Sequence, residues 1–177
     1  MSLANNFVEY KEEINLILAQ NNVEVELYSI IACVIREREN SANISLRDVS
    51  TRRKTDFSYM FKSGSGFPDF VVLSKNFDKH KPDKKQILGA IEAKRVSADP
   101  LVKSEQLKHH IKYFKNVIYT NGLEWQFYKS NGEVTNELPE WIIVLGKNNG
   151  EKISWEKDDE KWKKLLNKIS AIEWAKT

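Results

Sequence analysis

Two short apolar runs, GFPDFVVL at residues 66–73 and ILGAIEAKRV at residues 87–96, constrain this chain more than any other feature. Each is continuous rather than alternating, which is the pattern of a strand covered on both faces. The polar stretch NFDKHKPDKK lies between them, with Pro82 near its middle. The pair therefore predicts an antiparallel hairpin with arms at about 69–74 and 87–94. A strand buried on both faces excludes unpaired charge, because desolvating an ion costs several kcal/mol or shifts its pKa until it is neutral. Yet Asp69, Glu92 and Lys94 stand at the ends of these runs.

Strand geometry says where those three meet. Side chains alternate across a strand, so Glu92 and Lys94 point one way and Ala93 the other. Opposed residues of a hairpin have a nearly constant index sum, and pairing 69 with 92 or 94 places the turn at residues 80–82, where the polar loop already is. Asp69 is thus predicted beside Glu92 and Lys94 at the open end of the hairpin. Two adjacent carboxylates are relieved by a shared proton or a bound cation. Oxygen ligands select Mg2+ or Mn2+, which bind through one or two carboxylates and keep waters and substrate phosphate oxygens. A neighbouring lysine orients or deprotonates a water, or stabilises charge on a phosphate, and the set suits phosphodiester hydrolysis. Acid-x-Lys triplets are common in a chain that is 30% charged, and EYK, DKK and DEK also occur. Those sit in helical or polar contexts, whereas EAK ends an apolar strand with Pro-Asp upstream at hairpin distance.

The rest of the chain supplies the packing for one domain: 177 residues, 41% of them hydrophobic, are enough for one full-sized core. Phe7, Tyr10, Ile14, Ile17 and Leu18 mark one face of a helix over about 5–20. A second helix is predicted over NNVEVELYSIIACVIRERE, with an asparagine as cap, Glu24 and Glu26 in its first turn, and Leu27, Ile30, Ile31, Val34 and Ile35 inward. ISLRDVSTRR reads as a strand and KSGSGF as a loop. A helix is expected over 99–115, capped by Asp99, with Leu107, Ile111 and Phe114 on one face. VIYTNGLEWQFYK reads as a hairpin turning at Asn-Gly, WIIVLG as another strand, and about 157–176 as an amphipathic C-terminal helix. This order predicts an α+β fold, a mixed central sheet flanked by helices, with the motif-bearing core at about 24–145.

Together Pro68-Asp69 and Glu92-Ala93-Lys94 resemble the PD-(D/E)xK nuclease superfamily. The downstream EQLKHHIKYFKNVIYTNGLEWQFYK is similar to the nuclease domain at the N-terminus of type I restriction enzyme R subunits, and the likeness spans about residues 24–130. The resemblance implies a restriction-endonuclease-like fold and a Mg2+- or Mn2+-dependent endonuclease acting on DNA. It implies Asp69 and Glu92 as metal ligands, the Ala93 backbone carbonyl as a third, and Lys94 as the catalytic lysine. It also implies a glutamate from a preceding helix, Glu26 by choice with Glu24 and Glu37 as alternatives, and Gln106 of the following helix. Gln106, His110 and Tyr113 share a helix face, which is expected to meet the site or the nucleic acid, with Gln106 and Tyr113 as additional site candidates. These 177 residues contain no GxxxxGK[S/T] phosphate loop, so they carry no motor for translocation.

Around this centre the expectations are plainer. Arg52, Arg53 and Lys54, in the basic stretch RRKTDFSYMFK, are the candidate phosphate contacts. His109 and His110 are expected as exposed helix residues, Cys33 as core filling, and Trp125, Phe127 and Tyr128 as core-covering strand residues. The net charge of +3 is too small to identify a partner. No apolar run reaches membrane-spanning length, and a cytoplasmic protein is expected. DNA is the expected partner, with restriction or repair subunits and a second copy of the chain as further candidates. The rival reading is a non-catalytic nucleic-acid-binding or assembly module on the same fold.

Overall fold

The computed structural model describes residues 6–51, 57–99, 101–130, 138–157 and 159–175. Its centre is the predicted hairpin. Strand β2 (Phe70–Ser74) and β3 (Ile87–Ala93) pair antiparallel, with Phe70 opposite Ile91 and Val71 opposite Ala90, and an irregularity falls between Val72 and Leu73. Every residue of β3 is buried, including Glu92. β1 (Ile44–Asp48) flanks β2 antiparallel. On the other side β3 pairs parallel with β4 (Asn116–Thr120), which continues antiparallel to β5 (Glu124–Lys129) and β6 (Trp141–Val144). The result is a mixed six-stranded sheet in the order β1-β2-β3-β4-β5-β6. Its parallel pair is bridged by α3 (Glu105–Tyr113), which lies between β3 and β4 as a parallel crossover requires.

The two faces bury different helices. On one, α1 (Phe7–Gln20), α2 (Leu27–Arg36) and α4 (Glu160–Ser170) pack Tyr10, Ile31, Trp162 and their neighbours against Phe70, Val72, Ile91, Ile118 and Trp125. On the other, Leu107 and Ile111 of α3 cover Val71, Ala90, Val117 and Tyr119. The alternation along β2 and β3 assigns Asp69 and Glu92 to the α3 side.

Several boundaries differ from the sequence reading for local reasons. No asparagine caps α2: a 3-10 turn at Glu24–Glu26 precedes it, Val23 stands at that turn's N-cap, and the Asn21 amide donates instead to Glu26 Oε1 at 2.6 Å. α3 starts at Glu105 and not near Asp99, because the Ser104 hydroxyl accepts from the Leu107 amide at 3.1 Å and so provides the cap. Asp99 accepts from the Asn148 amide, across to another part of the chain. α4 stops at Ser170, short of 176, although Ile172 and Trp174 beyond it remain buried. A second sheet of two strands, β7 (Gly146–Asn148) and β8 (Ile153–Trp155), was not anticipated; it turns through Asn149-Gly150, with Gly150 at φ 96°. Cys33 is half-buried against the first core, and Trp125, Phe127 and Tyr128 are buried as expected.

Candidate functional site

β3 and β4 run in the same direction, so both finish at one end of the sheet, and β2 begins there. Continuing the Phe70–Ile91 pairing by one step sets Asp69 opposite Glu92. Both are buried, at 8% and 1% exposure. Asp69 Oδ2 accepts the Ala93 amide at 2.7 Å, and its other oxygen accepts the Tyr28 hydroxyl of α2. Burial, then the neighbouring Glu92 charge, pushes the Asp69 carboxyl up to about 7, against the opposing effect of those two hydrogen bonds.

Lys94 closes the other side of Glu92. Its amide donates to Thr120 O at 2.8 Å, which fixes the backbone just past β3, and Nζ donates to Glu92 Oε1 at 2.5 Å. Burial alone would lower the Lys94 pKa, but the charges of Glu92, Glu24 and Asp69 outweigh it and hold the ammonium above its ordinary value. Lys94 is therefore a cation and a donor at neutral pH. Its side chain is 23% exposed and lies 3.7 Å from Glu24 Oε2, itself 37% exposed, so these two form the mouth of the site and the carboxylates lie behind them. Burial raises the Glu24 carboxyl, and Lys94 partly offsets this.

The remaining sequence candidates separate into those at the site and those elsewhere. Glu26, the preferred helix glutamate, is exposed and bonded to Asn21, while Glu24 is the one that reaches Lys94. Glu37 is exposed at the far end of α2. Gln106 lies on α3 where its backbone carbonyl accepts from the Ser65 hydroxyl at 3.2 Å. Tyr113 points away from the carboxylates, its hydroxyl on Met60 O at 2.9 Å and its ring under Lys84 Nζ. Arg52, Arg53 and Lys54 lie outside the described residues.

Sequence reasoning missed Tyr28, and it set His110 on a face expected to meet the site or the nucleic acid while expecting the residue itself exposed. Tyr28 holds Asp69, and nothing in the local pattern of α2 marks it. His110 is not exposed but fully buried, with Nε2 3.3 Å from Glu92 Oε2. Its signal was available: it stands three residues after Leu107 and four before Phe114, on the apolar stripe itself.

The donor set suits a hard divalent cation that keeps part of its hydration. Two buried carboxylates face each other, and Glu92 Oε2 has no hydrogen-bond partner. Among the described residues no group of three or more His, Cys, Asp or Glu is placed to hold a metal ion. A cation here would rest on Asp69 and Glu92 and take its other ligands from water, backbone or substrate. No described helix is long and apolar enough to cross a membrane. The chain matches no protein-family model, no curated protein and no solved structure.

Proposed function

We propose that this chain is a nuclease on a restriction-endonuclease-like fold, hydrolysing phosphodiester bonds in DNA with Mg2+ or Mn2+. The observation that carries this reading is the meeting of Asp69, Glu92 and Lys94 at one end of a mixed sheet, two carboxylates buried behind a partly exposed ammonium. Asp69 and Glu92 would hold the cation, with the Ala93 carbonyl as the backbone ligand that the resemblance implies. The bound cation supplies a Lewis acid for the phosphoryl oxygen and lowers the pKa of an attacking water.

The chain's own groups do the rest. Tyr28 and the Ala93 amide aim Asp69. Lys94, held as an ammonium, meets a phosphate arriving through the mouth and stabilises the negative charge that builds on it during attack. This favours charge stabilisation over proton abstraction as the role of Lys94. Glu24 steadies the lysine from the solvent side. Arg52, Arg53 and Lys54 contribute backbone phosphate contacts, which add affinity but little sequence discrimination. DNA is the partner, and restriction or repair subunits or a second copy of the chain complete the assembly in which it acts.

One observation favours a non-catalytic nucleic-acid-binding module instead: both Asp69 oxygens and one Glu92 oxygen already have protein donors. The deciding experiment is cleavage of linear, circular and branched DNA with Mg2+ or Mn2+ by the wild type, Glu92→Gln and Lys94→Ala. Metal-dependent cutting by the wild type that both folded variants lose supports the nuclease. Salt-dependent DNA binding without cutting assigns the chain to the non-catalytic class.

A further inference from the structure

His110 is fully buried, and each of its ring nitrogens faces a polar group. Nδ1 lies 2.8 Å from the Ser63 hydroxyl, and Nε2 lies 3.3 Å from Glu92 Oε2. Neither Nε2 nor Glu92 Oε2 makes a hydrogen bond to any other group among the described residues, so two buried polar atoms are left facing each other. An unsatisfied buried polar atom costs on the order of 1–3 kcal/mol. Mutual engagement is the economical resolution for both.

The support behind the ring is built. Ser63 opens a tight turn that closes on Gly66 through paired backbone bonds of 2.9 and 3.2 Å. Three contacts dock that turn on α3: Ser63 with His110, the Ser65 hydroxyl with Gln106 O at 3.2 Å, and Gly64, where an added Cβ would come within 2.9 Å of His109. The turn and the helix thus present one side of the imidazole to Glu92. Because a carboxylate only accepts, the ring must carry a proton on Nε2 to hold it; Nδ1 then accepts from the Ser63 hydroxyl in a neutral ring, or donates to it in an imidazolium while that hydroxyl donates to Gly66 O.

We infer that His110 is a positioning residue for Glu92, with Ser63 fixing its ring, so that Glu92 is gripped from the side opposite Lys94. This rests on the nuclease reading in one respect, that Glu92 is a metal ligand. Its purpose follows from the geometry. Lys94 holds Glu92 Oε1 in the resting site, and when Lys94 turns to a phosphate the carboxylate would swing unless a second group held it. A donor behind a ligating carboxylate is the usual means of fixing such a ligand.

The test combines two readouts. A long-range 1H–15N spectrum of the metal-free protein, which has three histidines, is expected to show His110 with its proton on Nε2 and that resonance moved by Glu92→Gln. Mn2+ titration is expected to show His110→Leu binding about 10- to 100-fold more weakly than wild type. His110→Gln, whose amide places a donor near the Nε2 position, recovers most of that loss, and His110→Leu adds nothing on the Glu92→Gln background. If His110→Leu does not fold, Ser63→Ala and His110→Gln carry the titration, with Ser63→Ala weakened severalfold. An unprotonated Nε2, or wild-type Mn2+ affinity in folded His110→Leu, overturns the assignment. If the wild type itself binds no Mn2+, the nuclease reading fails, and the spectrum alone decides whether His110 holds Glu92.

Discussion

The ends of two hairpins lie at the same edge of the sheet and bury polar groups in opposite ways. At the turn between β4 and β5, Thr120, Asn121 and Gly122 satisfy one another. The Asn121 side chain accepts from the amides of Leu123 and Glu124 and donates to Ala98 O, while the Thr120 hydroxyl donates to Glu124 O and accepts from the Gly122 amide. At the open end of β2 and β3, Asp69 and Glu92 are buried opposite each other, the Glu92 charge raises the Asp69 carboxyl, Glu92 Oε2 faces His110 Nε2 at 3.3 Å, and the compensating lysine is partly in solvent. Neutral polar groups that close on the backbone stabilise a turn. Ionisable groups buried beside one another, with a partly exposed lysine in front of them, are the arrangement expected of a binding or reactive site.

The largest effect that sharpens this contrast is catalytic. Glu92→Gln and Lys94→Ala should each lower the DNA cleavage rate by about 10²- to 10³-fold, while the urea unfolding midpoint of Glu92→Gln stays close to that of the wild type. A loss of stability matching the loss of cutting would make the two ends alike. Next, Asn121→Ala leaves three partner groups, one buried and two half-buried, unpaired and should destabilise the fold by roughly 2–4 kcal/mol in urea unfolding. Any of that variant remaining folded should cleave at the wild-type rate. Gly122, at φ 84° with Ile14 and Leu27 within 3.2 Å of an added Cβ, belongs to the same structural unit.

A smaller effect reads the charge directly. The Asp69 pKa is raised to about 7 in the folded protein, by burial first and by Glu92 next, with Glu24 adding to it and the hydrogen bonds from Tyr28 and Ala93 opposing. Between the ordinary carboxylate range and pH 7 the folded state therefore binds more protons than the unfolded one. Stability should fall as pH rises through that window, with a slope of up to about 1.4 kcal/mol per pH unit. Asp69→Asn should remove this slope in denaturant unfolding followed from pH 4 to pH 8, and a slope unchanged in the variant would assign it to another group. The smallest effect separates two glutamates. Glu24→Gln should slow cleavage by up to about tenfold through weaker hold on Lys94, and Glu26→Gln should leave the rate unaltered, since the exposed Glu26 side chain bonds to Asn21 rather than to Lys94.

How much of this was legible in the sequence depends on the range of the interaction. Alternation and turn position bring Asp69 opposite 92 or 94, and the sheet selects Glu92. The apolar stripes of α1, α2 and α4 were readable for the same reason, since a 3.6-residue period is a local property. Choices between neighbours were not. Glu24 and Glu26 differ by two positions in a 3-10 turn, and which of them faces Lys94 is set by how α2 packs on the sheet. Tyr28 and Ser63 reach the site from elements distant in sequence, so no local pattern marks them. His110 lay on the apolar stripe of its helix, and a polar residue in that position signals a buried partner. The β7–β8 hairpin was concealed by its short strands, where three residues are too few to establish a period.

If a divalent cation completes the buried carboxylates, as proposed, thermal unfolding with increasing Mg2+ or Mn2+ will register it. The account predicts a melting temperature that rises with cation concentration in the wild type and stays flat in Asp69→Asn and Glu92→Gln. A flat wild-type response, or an equal rise in all three proteins, would contradict it.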